Sequence, residues 1–499
     1  MKKFLACIVA LLMLLPVMAA CEDTGDTSTT SDVSTVSGST SDSTETSLPE
    51  VEVMDLNGRE INVLCYDWGA GSASILGYTG EIMYDEENPS AVDEAKKLVV
   101  DKIESDYNCK IVGEKTNTVS ITTTIKNQVT SGLHFYDIIF ESTSTAAAMV
   151  PDGLLLDLNQ VPNINLSDPW WDQNAVKDLS IANKVFFACG DINTYDDQGT
   201  WCMLFNKTLK TKLGVEEDFY QLVRDGKWTF DKFKEICKRG YTSNTNGDDV
   251  LDEQDTWAFG TEKYNIYVHV LASGQKISGK DDNDLPYLTV SEEPEATYTI
   301  LADILEFYND ENTVMVANTP KYEGKGFSNV WEATVHKAFI EGRELFYMCG
   351  LINSASFRVM EDEFGILPIP KYYETQDRYY HTVSVGYSSV MVIPEGTTNV
   401  EEIGLVVSAI ARESKLVVTP AYYDVQLKYR DSRDDDSGEM LDIVFASRTF
   451  DIANAYNWGG IRDQYTNMSQ SDIASRFERI LSTAELAMDN FVEKITDEQ

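Results

Sequence analysis

Between residues 60 and 66 apolar and β-branched side chains run almost unbroken, as Ile61, Val63, Leu64 and Cys65, which predicts a buried strand. Ser90 can cap a helix over 91–107, with Asp93 and Glu94 in its first turn, where carboxylates favour the helix dipole. Residues 109–114 read as a second strand, 121–130 as a helix that stops near Gly132, and 136–140 as a third strand. The order β-α-β-α-β predicts a parallel sheet with helices on both faces. Ligands of such sheets bind beyond the carboxyl ends of the strands. That rule points at Asp67 and Trp68 after the first strand and at Glu141, Ser142 and Thr143 after the third.

A second α/β unit follows. Residues 184–190 and 201–205 read as strands flanking an acidic, aromatic loop, Tyr195-Asp196-Asp197. A helix over 229–238 carries Phe230, Phe233 and Cys237 on one face. More helices are expected over 264–272, 295–309 and 334–341, then strands over 345–349 and 364–369. The tail predicts a strand near 388–393, a helix over 400–412 and terminal helices to residue 493, with no repeat of fixed period.

The start of the chain has a different character. Met1-Lys2-Lys3 is a positive n-region, residues 4–17 form an apolar run, and Ala19-Ala20 lead into Cys21. This pattern is a secretory signal, too short and wrongly flanked for a spanning helix. Its end resembles a bacterial lipobox, although Met18 stands where Leu is usual. The resemblance implies that Cys21 is lipidated as the first mature residue; the alternative is a plain signal peptide with Cys21 incidental. Residues 21–50, dominated by Ser and Thr, have the composition of a solvated tether. The expected location is therefore the cell membrane, with a lipid anchor on its extracytoplasmic face.

The 499 residues allow two or three domains, and the 43% of hydrophobic residues can fill a sizeable core. A formal net charge of −42 repels phosphate backbones, so nucleic-acid binding is disfavoured. Beyond Cys7 and Cys21, the cysteines Cys65, Cys109, Cys189, Cys202, Cys237 and Cys349 form no CxxC pair. They read as buried thiols rather than bridges, although an even count outside the cytoplasm permits disulfides.

Six phrases carry a family resemblance: Gly153-Leu154-Leu155-Leu156-Asp157-Leu158, Asn183-Lys184-Val185-Phe186-Phe187, Leu204-Phe205-Asn206-Lys207, Gly226-Lys227-Trp228-Thr229-Phe230, the run 339–346 and the run 364–370. Together, in this order downstream of a lipobox, they resemble the family 1 extracellular solute-binding proteins, the maltose-binding-like group, over residues 51 to about 470. The resemblance implies two discontinuous α/β lobes, 51–190 with 365–420 and 191–364 with 421–499, closing over a ligand in the cleft. It also implies a monomer that delivers a carbohydrate, an oligosaccharide for preference, to the membrane permease of an ABC transporter, without catalysis or a required cofactor.

A sugar site needs flat aromatic plates for the C–H faces of the rings and polar groups for the hydroxyl rims. The chain holds 8 Trp and 25 Tyr. The candidate plates are Trp68, Tyr195, Trp201, Tyr264 and Trp458, of which Tyr264 and Trp458 rest on the resemblance. Asp67, Glu141, Ser142, Asp196 and Asn353 are the candidate polar partners. Trp170 and Trp171 read as structural.

Four motifs compete with this picture. Residues 244–255 resemble a calcium loop, with oxygen-bearing residues at its first, third, fifth, ninth and twelfth places. Asn244 replaces the usual Asp, Asp249 the turn glycine and Asp255 the usual Glu, so a solvated acidic turn is favoured and a structural Ca²⁺ is the alternative. Gly69-Ala70-Gly71 has Ser74 at the third glycine place of a dinucleotide loop and reads as a loop over the cleft. Gly386-Tyr387-Ser388-Ser389-Val390 lacks the final glycine of a nucleophile elbow. His134, His269, His336 and His381 have no metal-ligand spacing. A surface glycoside hydrolase would need two carboxylates facing one sugar across about 5–10 Å, and no phrase resembles one. The other rival keeps the fold and changes the solute, to a peptide or a polyamine.

Overall fold

The computed structural model describes residues 48–69, 78–248, 250–423 and 435–497. Cys21, the signal and all of the tether up to residue 47 lie outside them, as do residues 70–77, which include all of the Gly69–Ser74 motif but its first glycine. Among the described residues no helix is long and apolar enough to cross a membrane.

Two sheets organise the molecule. In the first, β1 (Arg59–Tyr66) pairs in parallel with β2 (Cys109–Thr116) and β3 (Ile138–Ser142). The second comprises β4 (Trp201–Asn206), β5 (Trp257–Thr261), β8 (Val314–Val316), β9 (Glu344–Gly350) and β10 (Phe364–Leu367), with β6 (Ser278–Lys280) and β7 (Pro286–Leu288) forming a separate hairpin. The pair β11 (His381–Thr382) and β13 (Arg448–Thr449) lies apart, and β12 (Ser389–Val392) joins the first sheet antiparallel to β3. The strand orders are β12-β3-β1-β2 and β10-β4-β9-β5-β8.

The chain thus returns to the first sheet at β12. Residues 364–367 pair with β4, so the return falls later than the boundary expected at 365. The expected strand over 184–190 does not form. That segment makes single bridges only, Lys184 to Ile181, Ala188 to Met391 and Gly190 to Trp171. Ala182 and Asn183, both with positive φ, form the tight turn closed by the Ile181–Lys184 bridge. The expected loop at 195–197 is instead a short helix, Tyr195–Gln198.

Local signals explain most of the rest. The helix Ala91–Tyr107 begins in a full capping box, with Ser90 accepting from the Asp93 amide and Asp93 from the Ser90 amide. Ile121–Ser131 ends at Gly132 in the left-handed conformation. The helix Val400–Pro420 is far longer than expected and packs along Ala91–Tyr107. All six described cysteines are buried and free.

Candidate functional site

The carboxyl ends of the parallel strands define one edge of each sheet. On the first sheet that edge holds Tyr66, Asp67 and Trp68 after β1, Glu141 and Ser142 at the end of β3, and Tyr387 just before the antiparallel β12. Trp68 is the centre of an aromatic cluster. Its ring centroid lies 5.0 Å from Tyr66, 5.5 Å from Tyr78 and 4.4 Å from Tyr195, and its Nε1 donates to the Gly386 carbonyl at 3.4 Å.

Tyr195 is held there by a buried carboxylate. Glu81 accepts from the Tyr195 and Thr194 amides, from the Thr194 hydroxyl and from Ser389. The loop bearing Tyr387 sits directly on the end of the Tyr195–Gln198 helix. A Cβ at Gly199 would fall 2.4 Å from the Tyr387 carbonyl, so only glycine permits this approach. Tyr387 is 48% exposed, unlike the rings beneath it.

On the second sheet the matching edge carries Trp201 at the start of antiparallel β4, Glu262 and Tyr264 after β5, and Asn353 after β9. Trp201 donates to Asn265 Oδ1 at 2.6 Å, and its ring meets Tyr264 edge to face at 5.3 Å. Asn265 is in turn fixed by bonds to Thr261 Oγ1 and the Met348 carbonyl. Asn353 donates to the Gly350 carbonyl at 3.3 Å, within the 3₁₀ segment Leu351–Val359.

The carboxylates here are desolvated. Burial pushes Glu141 up to about 7 against the pull of Ser142 and Thr145, and burial alone takes Glu262 to about 7. The Glu262 charge is felt by Tyr264 on its own edge and by Tyr387 on the first. The helix Tyr195–Gln198, whose first ring packs on Trp68, leads within three residues into Trp201, so the two edges adjoin, with aromatic rings on the first and aromatic rings and the Glu262 carboxyl on the second.

The expected residues fare differently. Trp68 with Tyr195, and Trp201 with Tyr264, come together as two ring pairs. Asp67 is taken up in a turn, accepting from the Gly69 amide at 3.0 Å with Lys115 Nζ 3.8 Å away. The Ser142 hydroxyl caps the helix Thr143–Met149 by accepting from the Thr145 amide. Asp196 turns inward to Arg448, which also holds Asp172 and Asp197, so its carboxylate is engaged in a buried ion cluster. Trp458 stacks on Tyr456 at 5.3 Å and 6° and packs on Phe491 of the helix Ile473–Asp497, inside the helical core. Tyr66, Glu262, Asn265 and Tyr387 were not expected. The strand-end rule would have found Glu262 had β5 been recognised.

Several oxygens of the 244–255 loop are already engaged. Asp255 accepts from the Thr245 and Asp252 amides, Asn244 from the Gly247 amide, and Asp252 pairs with Lys325 at 2.8 Å. Asp249 lies outside the described residues. Among the described residues no three His, Cys, Asp or Glu side chains converge as a metal site.

The fold, two α/β lobes with aromatic-lined sheet edges, is that of ABC substrate-binding proteins of solved structure. Solved structures share it across nearly their whole length. An ABC substrate-binding protein of Listeria monocytogenes in complex with cycloalternan is 13% identical, with 89% of this chain and 99% of that chain covered and a TM-score of 0.52. UspC of Mycobacterium tuberculosis is 12% identical, with 86% and 100% covered and a TM-score of 0.55. A cyclo/maltodextrin-binding protein complexed with maltotetraose is 12% identical, with 89% and 98% covered and a TM-score of 0.51. In all 607 solved chains match, so the likeness identifies a widespread fold and not a ligand. No protein-family model and no curated protein matches the sequence.

Proposed function

We propose that this chain is a carbohydrate-binding receptor of the family 1 solute-binding type, which traps an oligosaccharide between its lobes and presents it to an ABC permease. The observation that carries the reading is the pair of adjoining aromatic edges, Trp68–Tyr195 with Tyr387 on the first and Trp201–Tyr264 with Glu262 on the second. Flat rings match the C–H faces of pyranoses, and a desolvated carboxyl matches their hydroxyls. The complexes with cycloalternan and maltotetraose are those of proteins with this fold, which supports a saccharide over a peptide. They are binding proteins, which supports a receptor over a hydrolase.

A ligand touching both lobes selects the closed state. The lipid anchor at Cys21 and the extracytoplasmic location belong to the same proposal, supported by the sequence of residues 1–21. A structural Ca²⁺ at 244–255 would have to displace the amide bonds to Asp255 and the Lys325 contact to Asp252.

The test is thermal unfolding of the purified protein against a panel of mono- and oligosaccharides, peptides and polyamines. Ligand at a hundredfold excess over its Kd stabilises by roughly 2.7 kcal/mol. A shift with one saccharide class and no product formed supports the receptor. Consumption of the sugar overturns it in favour of a hydrolase, and a shift with peptides or polyamines alone changes the solute.

A further inference from the structure

Two of the six free thiols are neighbours across the second sheet. β4 and β9 run antiparallel, and their register sets Cys202 directly opposite Cys349. The Leu351 amide donates to the Thr200 carbonyl at 2.9 Å, which makes Thr200 and Leu351 a hydrogen-bonded pair. Two residues further along each strand, Cys202 and Cys349 occupy the next such pair, where Cα atoms lie about 5.5 Å apart. That spacing falls within the roughly 4.4–6.8 Å that a disulfide spans. Residues directly opposite each other point to the same face of a sheet, and the Cys349 thiol interacts directly with that of Cys202.

The other four described cysteines have no such neighbour. Cys65 on β1 is set opposite Lys115 and Phe140, and Cys109 on β2 opposite Arg59. Cys237 ends the helix Phe230–Cys237, and Cys189 packs against Asp196.

Access decides when a bond can form. Cys202 and Cys349 are both buried, and burial holds the Cys349 thiol well above its ordinary pKa. The thiolate is the attacking species in disulfide exchange, so the folded, reduced sheet resists oxidation. During folding, before the strands are covered, both thiols are open to an oxidant.

We propose that Cys202 and Cys349 are a disulfide site, closed as the chain folds in oxidising surroundings and clamping β4 to β9 beside the Trp201 ring. The oxidant is a small-molecule or protein disulfide. One cysteine thiolate attacks it and releases the first thiol, and the second cysteine thiolate attacks the mixed disulfide and releases the other. Two cysteine thiols are oxidised to one disulfide, the oxidant is reduced to two thiols, and two protons pass to the released thiolates. The bond encloses β5 to β8 in one loop, and long loops gain most from such a link. A Cβ at Gly350, next to Cys349, would fall 3.5 Å from the Trp201 ring, so the clamp adjoins the second edge. The inference draws on the extracytoplasmic reading only for where an oxidant is met.

The full chain is synthesised in a cell-free system buffered with reduced and oxidised glutathione, and in parallel with dithiothreitol. Remaining thiols are blocked with iodoacetamide after denaturation, and a non-reducing digest is read by mass spectrometry. The glutathione sample is expected to contain two peptides joined through Cys202 and Cys349, with Cys65, Cys109, Cys189 and Cys237 alkylated. Its melting temperature should exceed that of the dithiothreitol sample by several degrees, and Cys349→Ala should abolish the difference. Alkylation of both Cys202 and Cys349, glutathione left on either, or either joined to another cysteine overturns the site. The bond without a gain in melting temperature overturns the clamp. Because no cell takes part, none of these outcomes depends on whether the chain is exported.

Discussion

Glu141 gives the sharpest test of the electrostatics at the first edge. It lies at the end of β3, only 4% exposed, with no basic partner among the described residues, and accepts the Ser142 amide at 2.6 Å. Burial raises its pKa from 4.5 to about 7. Below pH 4.5 the carboxyl is protonated in both folded and unfolded chains and costs nothing. Between pH 4.5 and 7 the unfolded chain ionises while the folded one keeps its proton, so stability falls as pH rises, by about 1.4 kcal/mol per pH unit. Above pH 7 both forms are charged and the accumulated loss levels off at about 3 kcal/mol. Glu141→Gln remains neutral throughout and still offers an oxygen to the Ser142 amide. Urea unfolding of both proteins, followed by tryptophan fluorescence from pH 4 to 8, should show equal stability at pH 4 and a variant more stable by about 3 kcal/mol at pH 8. A difference that is constant across the range would refute the reasoning, because it would mean that packing, not ionisation, separates the two proteins.

Other substitutions probe the scaffold. Arg448→Met leaves Asp172, Asp196 and Asp197 facing one another without their cation, and should cost about 3–5 kcal/mol by chemical denaturation. Glu344 is fully buried on β9 with neither carboxyl oxygen hydrogen-bonded, and burial raises its pKa well above the ordinary value. Glu344→Gln should therefore raise the melting temperature at pH 7.5 and leave it unchanged at pH 4, where the carboxyl is neutral in both states. Gly404→Ala improves helix propensity by about 1 kcal/mol, yet its Cβ would sit 1.9 Å from the Pro162 carbonyl. Calorimetric unfolding should show a net loss of stability, because the two backbones must part.

The sequence made the first sheet legible because each of its elements carries a local signal: an unbroken apolar run at β1, a capping box at Ser90, a stop at Gly132. Trp68 and Trp201 were legible for a related reason, since they sit at strand ends that the pattern reveals, whereas Tyr264 rested on the family resemblance. Glu262 was hidden because β5 reads Trp-Ala-Phe-Gly-Thr, five residues with neither alternation nor a β-branched run. Its glycine is required by Glu344 on the neighbouring strand, whose carboxyl would meet a Cβ there at 2.1 Å, and no local pattern reports that.

Asp196 and Trp458 mislead in the opposite way. Their residue types suit a sugar, but their partners, Arg448 and Phe491, come from distant parts of the chain. A composition argument can propose an acid or a ring; only the tertiary fold decides whether it is already occupied.

The most direct test of the central claim is titration of the purified protein with the saccharide that raises its melting temperature most, beside Trp201→Ala and Tyr387→Ala. These remove one ring from each edge. Without either ring, binding should weaken by roughly tenfold, about 1.4 kcal/mol, at little cost in folding for the exposed Tyr387. Affinity that falls in both variants places the sugar between the edges, as the account requires. Affinity unchanged in both, with the proteins folded, would contradict it and put the ligand elsewhere.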